Sequence, residues 1–269
     1  MSEIKISQLS IYPIKSTTGI SVESAVVEPR GLQYDRRWGV FDRSGQVITA
    51  RDFPQLLGVK TTITAEGLQI IAGADSFTVP FTPSNDTLQD IRVFSEETAG
   101  VEVNSALSDW FCEYLQTHCR LLYMNSASHR PVATKRGGQF GDVVSYADEC
   151  PILLISEASL ADLNGRLETP VTMAHFRPNI VVSGCAPFAE DQWSAVQIGE
   201  TTYDVVQTCK RCVFTTIDPI TQQKSPTQEP LRTLTTYRQW DKGIHFGVHL
   251  IPRQTGTIHT DQTITVTNK

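Results

Sequence analysis

The sequence predicts a mainly β protein with some α (α+β) in two units, and three observations carry that expectation. Short strand-like segments split by turn residues recur through the first hundred residues and return after residue 178. Only two stretches show helical periodicity. Nowhere do strands and helices alternate as a parallel α/β sheet requires.

In chain order, WGVF (38–41), the turn DRSGQ and VITAR (47–51) read as a first hairpin. TTIT, LQIIA and FTVPF, separated by AEG and GADS, continue the meander through residues 61–81. A helix is predicted from Asn104 to His118, where Leu107, Trp110, Phe111, Tyr114 and Leu115 fall at i, i+3, i+4, i+7 and i+8. That stripe reads as core packing. A second helix is predicted in SEASLADLNGRL (156–167), capped by Ser156 and with Leu160, Leu163 and Leu167 on one face. Strands follow in NIVVSG, AVQIG, TTYDVV, VFTTID and IHFGVHL, and GTI, HTDQ and TITVT close the chain as a hairpin. The division is placed at 1–125 and 126–269. Residues 129–148, rich in Gly and charge, read as a long loop over a site.

A length of 269 residues suits one large or two medium domains, with 40% hydrophobic and 19% charged residues. The net charge of −6 argues against nucleic acid or an anionic membrane as a bulk partner, yet leaves room for a local cationic pocket. No run approaches the roughly 18 apolar residues of a membrane span, and MSEIKISQLSIYPIKS lacks a leader's apolar core. These features predict a cytoplasmic chain whose cysteines stay reduced, so a close pair points to metal or catalysis before a structural disulfide.

The close pair is in TCKRCVFTTIDP (208–219), where Cys209 and Cys212 flank Lys210 and Arg211. Zinc would recruit His245 and His249, but GIHFGVHL alternates as a strand, and residues four apart on a strand lie about 13 Å apart. Two side chains so separated do not readily share one ion with bonds of about 2 Å. A dithiol redox pair would sit at a helix start in a βαβ unit, and VFTTI instead reads as a continuing strand. Two readings stay open on residues alone: one thiolate favoured by Lys210 and Arg211 and offered to a soft metal or electrophile, or two buried cysteines of packing value only.

CKRCVFTTIDP together with EPLRTLTTYR (229–238) resembles the MOSC family of molybdenum-cofactor proteins, which includes the bacterial YcbX proteins and the mitochondrial amidoxime-reducing component. The resemblance extends in order through YPIKS (12–16), YDRRW (34–38), ITARDFPQ (48–55), SYAD (145–148), LISEASLADLN (154–164), HFRPNIVVSGC (175–185) and HFGVHL (245–250). It implies a strand-rich N-terminal MOSC domain packed on a MOSC β-barrel, with the molybdenum cofactor (Mo-molybdopterin) at their interface. It also implies Cys212 as the catalytic thiolate and metal ligand, with Cys209 a neighbour without ligation, and Asp148 as an acidic residue that orients substrate or passes a proton. Lys15, Ser16, Arg36, Arg177, Asn179, Lys210, Arg211 and His249 then fall at cofactor-binding positions. Cationic forks and small polar groups suit a phosphate and a polar pterin.

Two positions depart from the family: Lys210 stands where relatives often carry serine, and His249 where the mitochondrial proteins carry tyrosine. The function implied is reduction of N-hydroxylated compounds, a detoxifying chemistry in which R–NHOH, two electrons and two protons give R–NH2 and water. The YcbX proteins usually continue into a ferredoxin domain, and no such cysteine run follows here. Electrons are therefore expected from a separate flavoprotein, ferredoxin or cytochrome b5 type of donor. The alternative is a molybdenum cofactor or sulfur carrier without reductase turnover.

Overall fold

A computed structural model describes residues 3–84 and 86–269. Strands hold 42% of the chain and helices 16%, the mainly β fold with some α that the sequence predicts. The largest sheet runs in the order Ile264–Asn268, Trp193–Ile198, Thr201–Arg211, Gly243–Gln254, Ile152–Ser156, Ile180–Ser183, Lys5–Ile11 and Ile20–Val22, with Gln239–Trp240 added on Gly243–Gln254. Its one parallel pair, Ile152–Ser156 beside Ile180–Ser183, needs a crossover, and the helix Glu157–Asn164 lies within it. The chain's first strand thus pairs with a segment far downstream, Lys5 opposite Ser183.

The N-terminal half adds a sheet ordered Trp38–Asp42, Cys119–Tyr123, Glu96–Glu102 and Leu88–Val93, and the hairpins of Lys60–Ile63, Leu68–Ala72 and Asp75–Val79. The helix Ser105–Leu115 packs on this half. Asn104 caps it by accepting from Leu107 N, its stripe buries Leu107, Phe111 and Leu115, and Gln116 ends it in a left-handed turn. The two largest apolar clusters lie one around Trp38, Leu56 and Phe111, the other around Ile6, Leu154 and Leu250.

Two predicted strands take other forms. VITAR contributes only an isolated bridge from Val47 to Phe41, and its remainder turns, which sets Arg51 in a loop. VFTTID is a 3-10 turn over Val213–Thr216, because Thr215 N reaches back to the Cys212 carbonyl (3.1 Å) and Thr215 and Thr216 hydroxyls bond carbonyls three residues earlier. β-branching favours strands only where a neighbour offers a ladder, and local hydroxyl bonds win here.

Candidate functional site

A cavity of about 600 Å³ opens where the two halves meet, and all ten residues singled out from the sequence line it: Lys15, Ser16, Arg36, Asp148, Arg177, Asn179, Lys210, Arg211, Cys212 and His249. Seven cations and two carboxylates form its lining, in a chain whose net charge is −6. Positive charge is therefore concentrated where a ligand would sit. Four non-glycine lining residues also hold left-handed backbone, Ser16 (φ 71°), Arg36 (φ 49°), Phe94 (φ 58°) and Arg177 (φ 57°). Such strain persists only when surrounding structure enforces it, and it gathers at functional sites.

One wall is a guanidinium pair. Arg36 Nη1 donates to Asp35 Oδ2 (2.6 Å) and to Asn179 Oδ1 (3.0 Å), and Nη2 to the Arg177 carbonyl (3.1 Å). Arg177 Nη1 donates to the Thr17 carbonyl (2.6 Å), and both guanidiniums lie over the Tyr12 ring, at 4.3 and 4.1 Å. Burial and the neighbouring Arg36 push the Arg177 pKa down to about 10. Two like charges held together at this depth favour an anion between them. Asn179 acts as the clamp behind them: its Oδ1 also accepts from Leu153 N (3.2 Å), and its Nδ2 donates to the Ser10 carbonyl (3.2 Å).

The opposite wall is organised by Asp148. Lys15 Nζ bonds Asp148 Oδ1 and the Tyr146 carbonyl (2.8 Å), and Arg51 Nη2 takes Asp148 Oδ2 (2.6 Å). Burial alone would raise the Asp148 pKa, but Lys15 and Arg51 hold it well below the usual carboxylate range. Its exposed share, 48% of the side chain, faces cavity solvent. A carboxylate held so firmly ionised carries no proton at neutral pH and presents only acceptor oxygens to the cavity. Lys15, 3% exposed, is lowered by burial to about 8, with Asp148 opposing that loss of charge.

Cys212 follows the strand Thr201–Arg211 and caps the turn after it, half-buried at the cavity. Arg51 donates to its sulfur from both Nε and Nη2, each at 3.3 Å. Opposite Cys209 the partner strand accommodates an extra residue at Gly247 (φ 78°), and this bulge turns Cys209 toward the cavity. Arg211 Nη1 donates to Cys209 Sγ (2.9 Å) and Nη2 to the Phe176 carbonyl (2.7 Å). Burial opposes ionisation of Cys209, yet Arg211 and His249 outweigh it and lower its pKa. His249, 6% exposed, has Nε2 at 3.5 Å from Glu149 Oε2, an ion-pair distance without an aligned hydrogen bond. Burial disfavours its charge, but Cys209, Cys150 and Glu149 together raise its pKa well above the ordinary value.

Three further placements complete the site and its surroundings. Lys210 lines the cavity, but its amine turns to the Asp241 carbonyl (2.9 Å). His245 is occupied elsewhere, stacked on Trp240 at 4.3 Å with its Nδ1 at 2.7 Å from the Thr208 hydroxyl. Arg51, not singled out by sequence reasoning, makes the most direct contact with Cys212.

The family models settle the affiliation. The MOSC N-terminal beta barrel domain matches residues 3–118 and the MOSC domain residues 141–265. The chain is 36% identical to "Mitochondrial amidoxime-reducing component 1" of Homo sapiens over 94% of its length and 80% of that protein. The chain belongs to the MOSC family. Other similar proteins of this family are the Mus musculus component 1, 39% identical over 88% of this chain and 72% of its own length, and "Mitochondrial amidoxime reducing component 2" of Rattus norvegicus, 38% identical over 89% and 74%.

These names correct the cytoplasmic expectation, since the relatives of this MOSC protein are called mitochondrial. Charge balance and the lack of a long apolar run do not identify a compartment. Besides Arg51, sequence reasoning left out Phe94, Arg136 and Glu149. Arg51 stands in ITARDFPQ and Arg136 in the 129–148 loop, both noticed as segments, but a side chain's partner 161 positions away has no local signature.

Proposed function

We propose that this MOSC protein is a molybdenum-cofactor-dependent reductase of N-hydroxylated compounds, namely amidoximes, hydroxylamines and N-oxides, supplied with electrons by a separate donor protein of flavoprotein, ferredoxin or cytochrome b5 type. The observation that carries the reading is a half-buried Cys212 sulfur held by Arg51 in a cavity whose lining is strongly cationic. Relatives named for amidoxime reduction, matching almost the whole chain, supply its chemical direction.

The residues present fit such a cofactor. Arg211 Nε and both ring nitrogens of His249 are buried without hydrogen-bond partners, and all belong to cavity-lining side chains. Orphaned polar atoms of this kind call for a polar ligand. Lys15, Ser16, Arg36, Arg177, Arg211 and His249 would bind the phosphate and pterin, with Asn179 fixing Arg36 and Lys210 offering its backbone while its amine holds the Asp241 carbonyl, and Cys212 would be the protein's ligand to the metal. When bound, the group supplies the electron-transfer chemistry that removes oxygen from nitrogen. The chain's own part is to orient and exclude. Arg51 fixes the sulfur and one oxygen of Asp148, Lys15 fixes the other, and the ionised carboxylate can accept N–H or O–H donors from the substrate.

The test pairs metal analysis of protein expressed in a cofactor-replete host with turnover of benzamidoxime using an artificial electron donor. Near-stoichiometric molybdenum and catalytic turnover are expected, both lost in Cys212→Ala. Retained turnover in the loaded variant removes Cys212 from the mechanism. Stoichiometric transfer of cofactor or sulfur with no turnover in the parent identifies the carrier alternative.

A further inference from the structure

The two-residue turn between Leu88–Val93 and Glu96–Glu102 holds a conflict between backbone and side chain. Val93 pairs with Glu96, which leaves Phe94 and Ser95 as the central residues, and Phe94 takes φ 58°. Glycine is the ordinary residue at such a position, because a left-handed backbone crowds any Cβ. A bulky aromatic there is a genuine outlier. The adjoining apolar cluster is built from buried neighbours such as Ile91, Val93 and Tyr146, and the Phe94 ring lies outside it at the cavity. The residue is 37% exposed and lines the cavity.

Its ring contacts point inward to the reactive cluster. The Lys15 ammonium lies 5.1 Å from the ring centroid and the Arg51 guanidinium 4.8 Å. These are the two cations that share Asp148, and Arg51 is also the one on the Cys212 sulfur. Other aromatic rings of the lining are already engaged: Phe176 is stacked on Phe246 at 4.4 Å, and Phe214 packs on the N-terminal core. Phe94 alone combines an unrelieved backbone, partial exposure and a seat over that cluster.

We propose that Phe94 is a specificity-determining residue that stacks on the ring of an aromatic N-hydroxylated substrate and so selects aryl over small alkyl compounds. This rests on the reductase reading. The cations beneath the ring fix its plane, and an offset aromatic partner gains from both burial and the ring quadrupole. A neutral aryl group suits this place better than a charged one, since the surrounding lining is cationic.

The test compares benzamidoxime with acetamidoxime in the holoenzyme, for the parent, Phe94→Gly and Phe94→Tyr. Glycine accepts the turn's φ, so the fold is kept, and a melting curve is read alongside. The ratio of KM for acetamidoxime to KM for benzamidoxime is expected to fall roughly tenfold in Phe94→Gly, the size of one aromatic pair, and to recover in Phe94→Tyr. Saturation-transfer NMR should show the phenyl protons of benzamidoxime losing contact with Phe94→Gly. An unchanged KM ratio, or one that stays low in Phe94→Tyr, overturns the assignment. If the parent reduces neither amidoxime, the reductase reading fails, and the NMR contrast alone then decides whether Phe94 binds aryl groups.

Discussion

Arg51 and Cys212 are joined by two N–H donors from one guanidinium to one sulfur, each at 3.3 Å. The same guanidinium reaches Asp148 at 2.6 Å, so one side chain from the N-terminal half sets the separation of a thiol and a carboxylate in the C-terminal half. Arg51→Gln removes the charge and the fork together. Loss of a partner of this kind costs about 10- to 100-fold in metal affinity or activity. Molybdenum content after prolonged dialysis should fall in that range, with Arg51→Lys intermediate; full retention in Arg51→Gln would show that the contact is incidental.

Lys15 makes stability depend on pH in a defined window. Its folded pKa of about 8 lies below the ordinary 10.5, so between those values the unfolded chain binds more protons than the folded one. The burial cost is present in full below about 8 and is relieved as pH rises toward 10.5. In denaturant titrations, wild type should gain stability relative to Lys15→Met across that interval. A constant difference between the two would refute the assignment of the shift to Lys15.

Glu190 acts with the opposite slope. Its Oε1 accepts from Ser156 N (3.1 Å) and Ser159 Oγ (2.8 Å), its Oε2 has no partner, and burial raises its pKa. The folded state therefore keeps a proton that the unfolded state releases near about pH 4.3, and stability declines as pH rises from there through the folded pKa. Glu190→Gln is neutral and of the same shape. We expect it to be at least as stable as wild type at neutral pH and to flatten this decline, which urea unfolding at several pH values would measure.

Gly247 tests the bulge that turns Cys209. At φ 78°, a Cβ would meet Ile155 Cγ1 at 2.6 Å and the Leu154 carbonyl at 2.8 Å. Gly247→Ala should cost more than the roughly 1–2 kcal/mol of left-handed strain alone. Thermal unfolding with and without added urea reads the loss, and a near-neutral result would mean that the bulge relaxes freely.

What the sequence disclosed, it disclosed through short-range signals. The helix at Ser105–Leu115 was legible because its apolar stripe is local, and the 129–148 loop because Gly and charge break any regular apolar period, although Val132, Val144 and Tyr146 within it are buried. The site residues came to notice as motifs rather than by geometry, yet they converge on one cavity. Arg51 stayed hidden because its value lies in distant partners. Phe94 was hidden because a left-handed turn with a bulky residue contradicts the turn chemistry that sequence rules assume. VFTTID misled for a related reason: β-branched residues signal a strand only where a neighbour completes it, and Cys212 begins a turn instead.

The pairing of Lys5–Ile11 with Ile180–Ser183 has a consequence for biosynthesis. Lys15 and Ser16 leave the ribosome early, whereas His249 emerges among the final residues, and the first strand, paired locally with Ile20–Val22 on one edge, waits on its other edge until residues 180–183 arrive. Contacts so distant along the chain close slowly. The cavity is therefore a late product of translation, and any group it binds enters a nearly finished polypeptide. A nascent chain arrested before Gly243–Gln254 already carries most of the lining but lacks the strand that joins Thr201–Arg211 to Ile152–Ser156, so Cys212 and Asp148 are not yet held across one pocket and such fragments should be open to proteases.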